Sequence, residues 1–213
     1  HGNTTLENAT RNSSRILSLL YAKNVKVIKG SAKPYRPHKY EREGFTAGTD
    51  FLGKNGICDI ELPESKYDNI LDFGQNKNIQ ELATIIKNER KIDYIITGPC
   101  TNFAKLCEYM GSDIKTYINS LYVMGGAIYA KGTRAPGVKN TSHEEEGSVP
   151  ETWAEFNFYC DPEAVKAVLK MGFNPTVVTW DVCKNFELSI GYINKMKADR
   201  PGSRFIVNLM QTF

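Results

Sequence analysis

No apolar run in this 213-residue chain approaches the ~18 residues that a membrane-spanning helix requires, which predicts a soluble protein with no membrane partner. Charge of one sign is scarce too. The 27 Lys and Arg face 24 Asp and Glu, and a scattered net charge of +3 excludes the basic footprint of a nucleic-acid binder. The five cysteines, Cys58, Cys100, Cys107, Cys160 and Cys183, include no CxxC pair. An odd set without that spacing argues against a disulfide scaffold or zinc site and for a reducing, cytoplasmic compartment. No apolar signal segment follows His1, and the amphipathic run 204–213 carries no stop signal, so the chain reads as beginning and ending inside a fold.

What is present is ordinary for a globular protein. Hydrophobic residues make up 41%, charged residues 24% and aromatic residues 11%, which excludes disorder, collagen and coiled coil. A chain this long buries roughly 70% of its unfolded surface, so it needs no disulfide or metal to hold a core. Four Asn-x-Ser/Thr sequons, at Asn3, Asn8, Asn12 and Asn140, point instead to secretion. Three of them crowd into the first twelve residues, where an Asn-, Ser- and Thr-rich helix start accounts for them better than glycosylation does.

Apolar periodicity predicts a helix over 4–22, with Leu6, Ala9, Ile16, Leu19 and Leu20 mostly on one face and Thr4 or Thr5 as its cap. A short buried strand over 25–28 follows, then a Pro- and Gly-rich loop over 31–75. Further helices are predicted over 78–90, 102–109 (started by Thr101) and 162–171, and further strands over 92–97, 120–124 and 176–182. The 162–171 helix carries its own start signal: Asp161 as cap, Pro162 in first position and Glu163 in the first turn. A second long loop covers 129–152, and two more helices close the chain.

Strands that alternate with helices imply an α/β fold, a mostly parallel sheet flanked by helices in the Rossmann-like manner, with 1–213 as a single domain. In such folds the site lies beyond the carboxyl ends of the strands. That places Gly98-Pro99-Cys100-Thr101, Met124-Gly125-Gly126 and Thr179-Trp180-Asp181 on one rim.

Each motif has a plain reading. Gly-Pro before a Thr is an ordinary strand-to-helix turn, and Met124-Gly125-Gly126 alone is a tight turn after a strand. His143 followed by Glu144, Glu145 and Glu146 is a solvated acidic loop, because like charges repel and stay exposed. His38 lies among basic and proline residues of a loop. Glu155 and Asn157 carry more information. In an extended segment they share one face, with Phe156 turned toward the core. A carboxylate and an amide converging on a rim suit a polyol, since together they accept from and donate to hydroxyls.

Four segments in order and spacing carry a resemblance: His1-Gly2-Asn3; Gly98-Pro99-Cys100-Thr101-Asn102; Met124-Gly125-Gly126-Ala127; and Ala154-Glu155-Phe156-Asn157 followed by Asp161-Pro162-Glu163-Ala164. With Thr10-Arg11-Asn12 they run along nearly the whole chain, which resembles the inosine–uridine-type nucleoside hydrolases. The resemblance implies hydrolysis of the N-glycosidic bond of a ribonucleoside, giving ribose and a free purine or pyrimidine base through an oxocarbenium-like transition state. It implies a Ca2+ cofactor that orients the ribose diol and activates water, with the Thr101 carbonyl as one ligand. Asn3, Glu155 and Asn157 then hydrogen-bond the ribose, with Met124 beside them. The family aspartate cluster, which holds the ion and supplies the general base, falls upstream of His1, and the last calcium ligand falls beyond Phe213. A family His-Gly loop is Leu52-Gly53 here, and either Thr133 or Asn140 stands where a family Gly-Asn meets the 5′-hydroxyl. Phe156 in an Ala-x-Phe/Trp-Asn context leans toward broad base specificity. Family members are homodimers or homotetramers, so a homo-oligomer is expected. The alternative is a protein on the same scaffold that binds nucleoside or ribose without turnover, or an interaction module.

Overall fold

The computed structural model describes residues 2–36, 52–89, 91–130, 154–186, 188–196 and 199–212. The elements in chain order are α1 (Leu6–Leu19), β1 (Val27–Ile28), β2 (Ile70–Leu71), α2 (Gln75–Asn88), β3 (Ile92–Ile96), α3 (Thr101–Met110), a 3-10 turn (Gly111–Asp113) and α4 (Ile114–Tyr117). They continue with β4 (Ile118–Met124), α5 (Phe156–Cys160), α6 (Pro162–Lys170), β5 (Thr176–Val178), α7 (Trp180–Cys183), α8 (Ile190–Ile193) and α9 (Pro201–Thr212).

The fold is α/β, and the described strands all pair in parallel. They form two groups, β1-β2 and β3-β4-β5. The predicted loop 31–75 therefore contains a strand: Ile70 and Leu71 pair with Val27 and Ile28. Two-residue strands give too short an alternation to detect in sequence. Within the larger group Ile96 lies beside Val123 and Met124 beside Val178. Parallel pairing brings the carboxyl ends of β3, β4 and β5 to one edge.

The core forms where α3 and α6 cover that group. Leu121 and Val123 alternate with exposed Tyr122 on β4, so one face of the strand is buried. Helix α3 contributes Phe103, Ala104, Leu106 and Cys107, at helical spacing, and α6 contributes Ala164, Val165 and Val168. The Phe103 ring stacks obliquely on Tyr94, with centroids 4.5 Å apart. Burial of each such aromatic or aliphatic side chain contributes ~1.5–3 kcal/mol.

Several local expectations hold. Thr5 caps α1 by accepting from the Asn8 amide, and Asp161 caps α6 by accepting from the Ala164 amide, with Pro162 in the first turn. Others need correction. The buried side of α1 is polar, comprising Asn8, Thr10, Asn12, Ser14 and Ser18, while Ala9 and Leu20 are exposed. Its partner is a loop whose carbonyls need donors, so amides face inward. Strand β1 is half-buried rather than buried. Strand β5 stops at Val178, and Trp180 to Cys183 coil into α7, so Asp181 lies in a helical turn. Cys100, not Thr101, is the N-cap of α3, and its side chain makes no capping bond. All five cysteines are free.

Candidate functional site at the carboxyl edge of the strands

The turn after β4 is shaped by one aromatic ring. A Cβ on Gly125 would overlap the Phe158 side chain, and Gly126 has φ +78, which a glycine adopts without penalty. The turn is then clamped to its neighbour. The Gly125 amide donates to the Val178 carbonyl at 3.1 Å, and the Trp180 amide donates to the Gly126 carbonyl at 2.8 Å.

Glu155 lies against this turn, 3% exposed. It is not extended with Asn157 along a strand, as the sequence predicts. It is the N-cap of α5, where its carboxylate can reach the free amides of a first helical turn. Its Oε1 accepts from the Asn157 amide at 2.9 Å, and its Oε2 accepts from Phe158 at 3.1 Å and from Gly126 at 3.0 Å. A carboxylate has about four acceptor positions, and the described residues use three, which leaves one on Oε1 with no partner among them. Asn157 is buried beside it, and its Nδ2 donates to the Met124 carbonyl at 3.1 Å and contacts the Met124 sulfur at 3.0 Å. Its Oδ1 has no partner among the described residues. Phe156 is half-buried in the first turn of α5 and is not part of the core cluster.

Thr101 is joined to the same segment from the other side. It is the first residue of α3, buried, and its hydroxyl donates to Asp161 Oδ2 at 2.5 Å. Cys100 lies close to both acids. Burial first, and then the Asp161 and Glu155 carboxylates, push its thiol up to about 11. A cleft of about 220 Å3 opens along the β3–α3 turn, lined in part by Ser31, Thr97, Pro99, Thr101 and Asn102.

The structure thus brings Met124, Glu155 and Asn157 together and ties Thr101 to them through Asp161. Asn3 is separate. It is exposed, and its place near the rim follows from buried Gly2, which lies against the Pro99 ring. Thr133, Asn140, His38 and His143 lie outside the described residues. Asp181 holds the backbone that follows the glycine turn, where its carboxylate accepts from the amides of Ile128, Tyr129 and Ala130 at 2.9, 2.8 and 2.6 Å. Those bonds, Ile128 foremost, hold it well below the usual carboxylate range. Sequence reasoning missed two linking asparagines. Asn102 Oδ1 accepts from the Ser31 amide at 2.9 Å, and Asn78 Nδ2 donates to the Lys29 carbonyl at 2.9 Å. An Asn directly after the helix-starting Thr was the available signal for the first.

These residues by themselves do not make a calcium shell. Calcium takes six to eight oxygens. Among the described residues no three His, Cys, Asp or Glu side chains are grouped so as to hold a metal ion. The two acids nearest Thr101 and Met124 are already engaged, Glu155 by three amides and Asp161 by two amides and a hydroxyl. Nor is any helix among the described residues long and apolar enough to cross a membrane.

Comparison with known proteins places this geometry in context. The family model described as inosine-uridine preferring nucleoside hydrolase matches residues 1–213. Pyrimidine-specific ribonucleoside hydrolase RihA of Escherichia coli O81 (strain ED1a) is 26% identical over 215 residues, an alignment covering 100% of this chain and 60% of that protein. RihA of Salmonella enteritidis PT4 (strain P125109) is 28% identical with the same coverage. Among solved structures, the purine-preferring ribonucleoside hydrolase from Gardnerella vaginalis superimposes with a TM-score of 0.76 at 25% identity, covering 100% of this chain and 60% of that one. The inosine-uridine preferring nucleoside hydrolase from Bacillus anthracis shares the fold, with a TM-score of 0.67 at 20% identity and coverage of 99% and 64%. The chain spans about 60% of the length of the curated relatives it matches.

Proposed function

Because the chain belongs to the inosine-uridine preferring nucleoside hydrolase family, we propose that the whole protein hydrolyses the N-glycosidic bond of ribonucleosides, releasing ribose and the free base. The observation that carries this reading is the acceptor pair left by the Glu155 network. Three amides fix the Glu155 carboxylate and Met124 fixes the Asn157 amide, and among the described residues one Glu155 acceptor and Asn157 Oδ1 then have no partner and can take a ligand. Two fixed acceptors suit the two hydroxyl donors of a ribose diol. Fixing them in advance orients the anomeric carbon without an ordering cost at the moment of reaction.

Asn3 and the Met124 segment complete the proposed sugar contacts. As the C–N bond breaks, the sugar gains oxocarbenium character, water adds at the anomeric carbon and loses a proton, and the base leaves with the electron pair and takes up a proton. A nearby buried carboxylate favours the positive charge on the sugar. The ion proposed is Ca2+, with the Thr101 carbonyl among its ligands; its support is the family resemblance, since the described residues offer no carboxylate set. Relatives named for pyrimidine and for purine preference both match, so the proposal covers both base classes. A cytoplasmic location is proposed from the five free thiols, three of them buried. A homo-oligomer is proposed from family resemblance.

The test is ribose release by the whole protein from inosine, adenosine, uridine and cytidine. Release from at least one, with Glu155→Ala lowering kcat/KM by about a hundredfold, supports the reading. Loss of the α5 cap alone costs only ~1 kcal/mol, so a stability loss much larger than that with an intact rate would make Glu155 purely structural. Nucleoside binding without ribose release would instead identify a binding protein on this scaffold.

A further inference from the structure

Asp161 ends α5 and starts α6, and it is 1% exposed. Capping α6 uses one oxygen: Oδ1 accepts from the Ala164 amide at 3.0 Å. The other oxygen serves two distant segments. Oδ2 accepts from the Tyr35 amide at 2.7 Å and from the Thr101 hydroxyl at 2.5 Å. A helix cap needs neither of these bonds. They join the segment after β1, the first turn of α3 and the end of the helix that carries Asn157, at one buried point.

We propose that Asp161 is a positioning residue for the sugar site, holding Thr101 and the Tyr35 segment at a fixed distance from the Glu155–Asn157 segment; this rests on the ribose-binding reading above. Thr101 and Asn157 belong to separate helices, α3 following β3 and α5 lying against the turn after β4. The Asp161 carboxylate bonds to the α3 side while its backbone is continuous with the α5 side. A side chain that sets such a separation acts on rate through Thr101 and not by touching substrate.

The variants separate capping from positioning. Thr101→Val removes one donor and leaves the Ala164 cap and the Thr101 backbone intact. Thr101→Ser restores the hydroxyl. Asp161→Asn keeps an acceptor for Ala164 but can turn an NH2 toward the Tyr35 amide, donor against donor. In the whole protein, kcat and KM for ribose release are measured on the four nucleosides well below the melting temperature. Amide hydrogen exchange is followed at Tyr35, Thr101, Asn157 and Ala164. Thr101→Val is expected to lower kcat about tenfold or more, as for a small misplacement of reacting groups. Thr101→Ser regains most of that loss, and the Thr101→Val/Asp161→Asn double variant is no slower than Asp161→Asn alone. Exchange quickens at Tyr35, Thr101 and Asn157 in Thr101→Val while Ala164 stays protected. Lower melting temperatures with unchanged kcat and KM overturn the proposal and leave Asp161 a cap. If the wild-type protein frees no ribose, the hydrolase reading fails and exchange decides: quickening at Asn157 in Thr101→Val supports the coupling, and unchanged exchange there overturns it.

Discussion

At the scale of single residues, the turn after β4 depends on the absence of a side chain. Gly125 leaves space that the Phe158 ring fills, and the same turn presents the Gly126 amide to Glu155. Gly125→Ala must displace the ring, an overpacking penalty of ~1–3 kcal/mol. The expected outcome is a lower melting temperature together with a lower kcat/KM for ribose release, because the ring and the Glu155 clamp share α5. Asp181 acts in the same local way on Ile128, Tyr129 and Ala130. Its folded pKa is depressed, so what it contributes is fully present above the ordinary carboxylate pKa of ~3.9 and is lost as pH falls through the depressed folded value. Asp181→Asn should therefore speed amide exchange at 128–130 at neutral pH, and the difference from wild type should shrink as pH is lowered below ~3.9.

At the scale of elements, α1 and α3 show two ways to seat a helix. Helix α3 buries a continuous apolar stripe, and its place in the core follows from that pattern. Helix α1 is seated by side-chain amides and hydroxyls. Asn8 donates to the Lys54 carbonyl and Asn12 to the Asn55 carbonyl, each at 2.8 Å, and Ser14 donates to Asn69 at 2.6 Å. Asn12→Ala should cost ~1–3 kcal/mol in urea unfolding, the desolvation of an unpaired carbonyl, and Asn12→Leu should not recover it despite its greater hydrophobicity. The same bonds bear on two of the four sequons. Asn8 and Asn12 are buried with their Nδ2 atoms committed, so they cannot carry glycans in the folded state.

At the scale of the whole molecule, the described residues supply the groups of the proposed sugar contacts and no carboxylate cluster for an ion. Chelation of the whole protein should abolish ribose release, with recovery on adding calcium. Calcium at 100 times its dissociation constant should then raise stability by ~2.7 kcal/mol.

What could be read from the sequence lay within a few residues. The cap and proline at Asp161-Pro162, the apolar stripe of α3 and the glycines after Met124 are local signals, because helix bonds, caps and turns close over one to four positions. The α/β order and the membership of Met124, Glu155, Asn157 and Thr101 in one rim followed from them and from the family motifs. Strand β2 was invisible because two residues carry no period. The extended reading of Glu155 and Asn157 was wrong because a carboxylate before free amides favours a cap. Tertiary structure alone decided which groups meet. Glu155 reaches Gly126 across 29 positions, Thr101 reaches Asp161 across 60, and Tyr35 reaches Asp161 across 126. No local pattern encodes such bonds, since each forms only after the chain has packed and buried a polar group that must then find its partner.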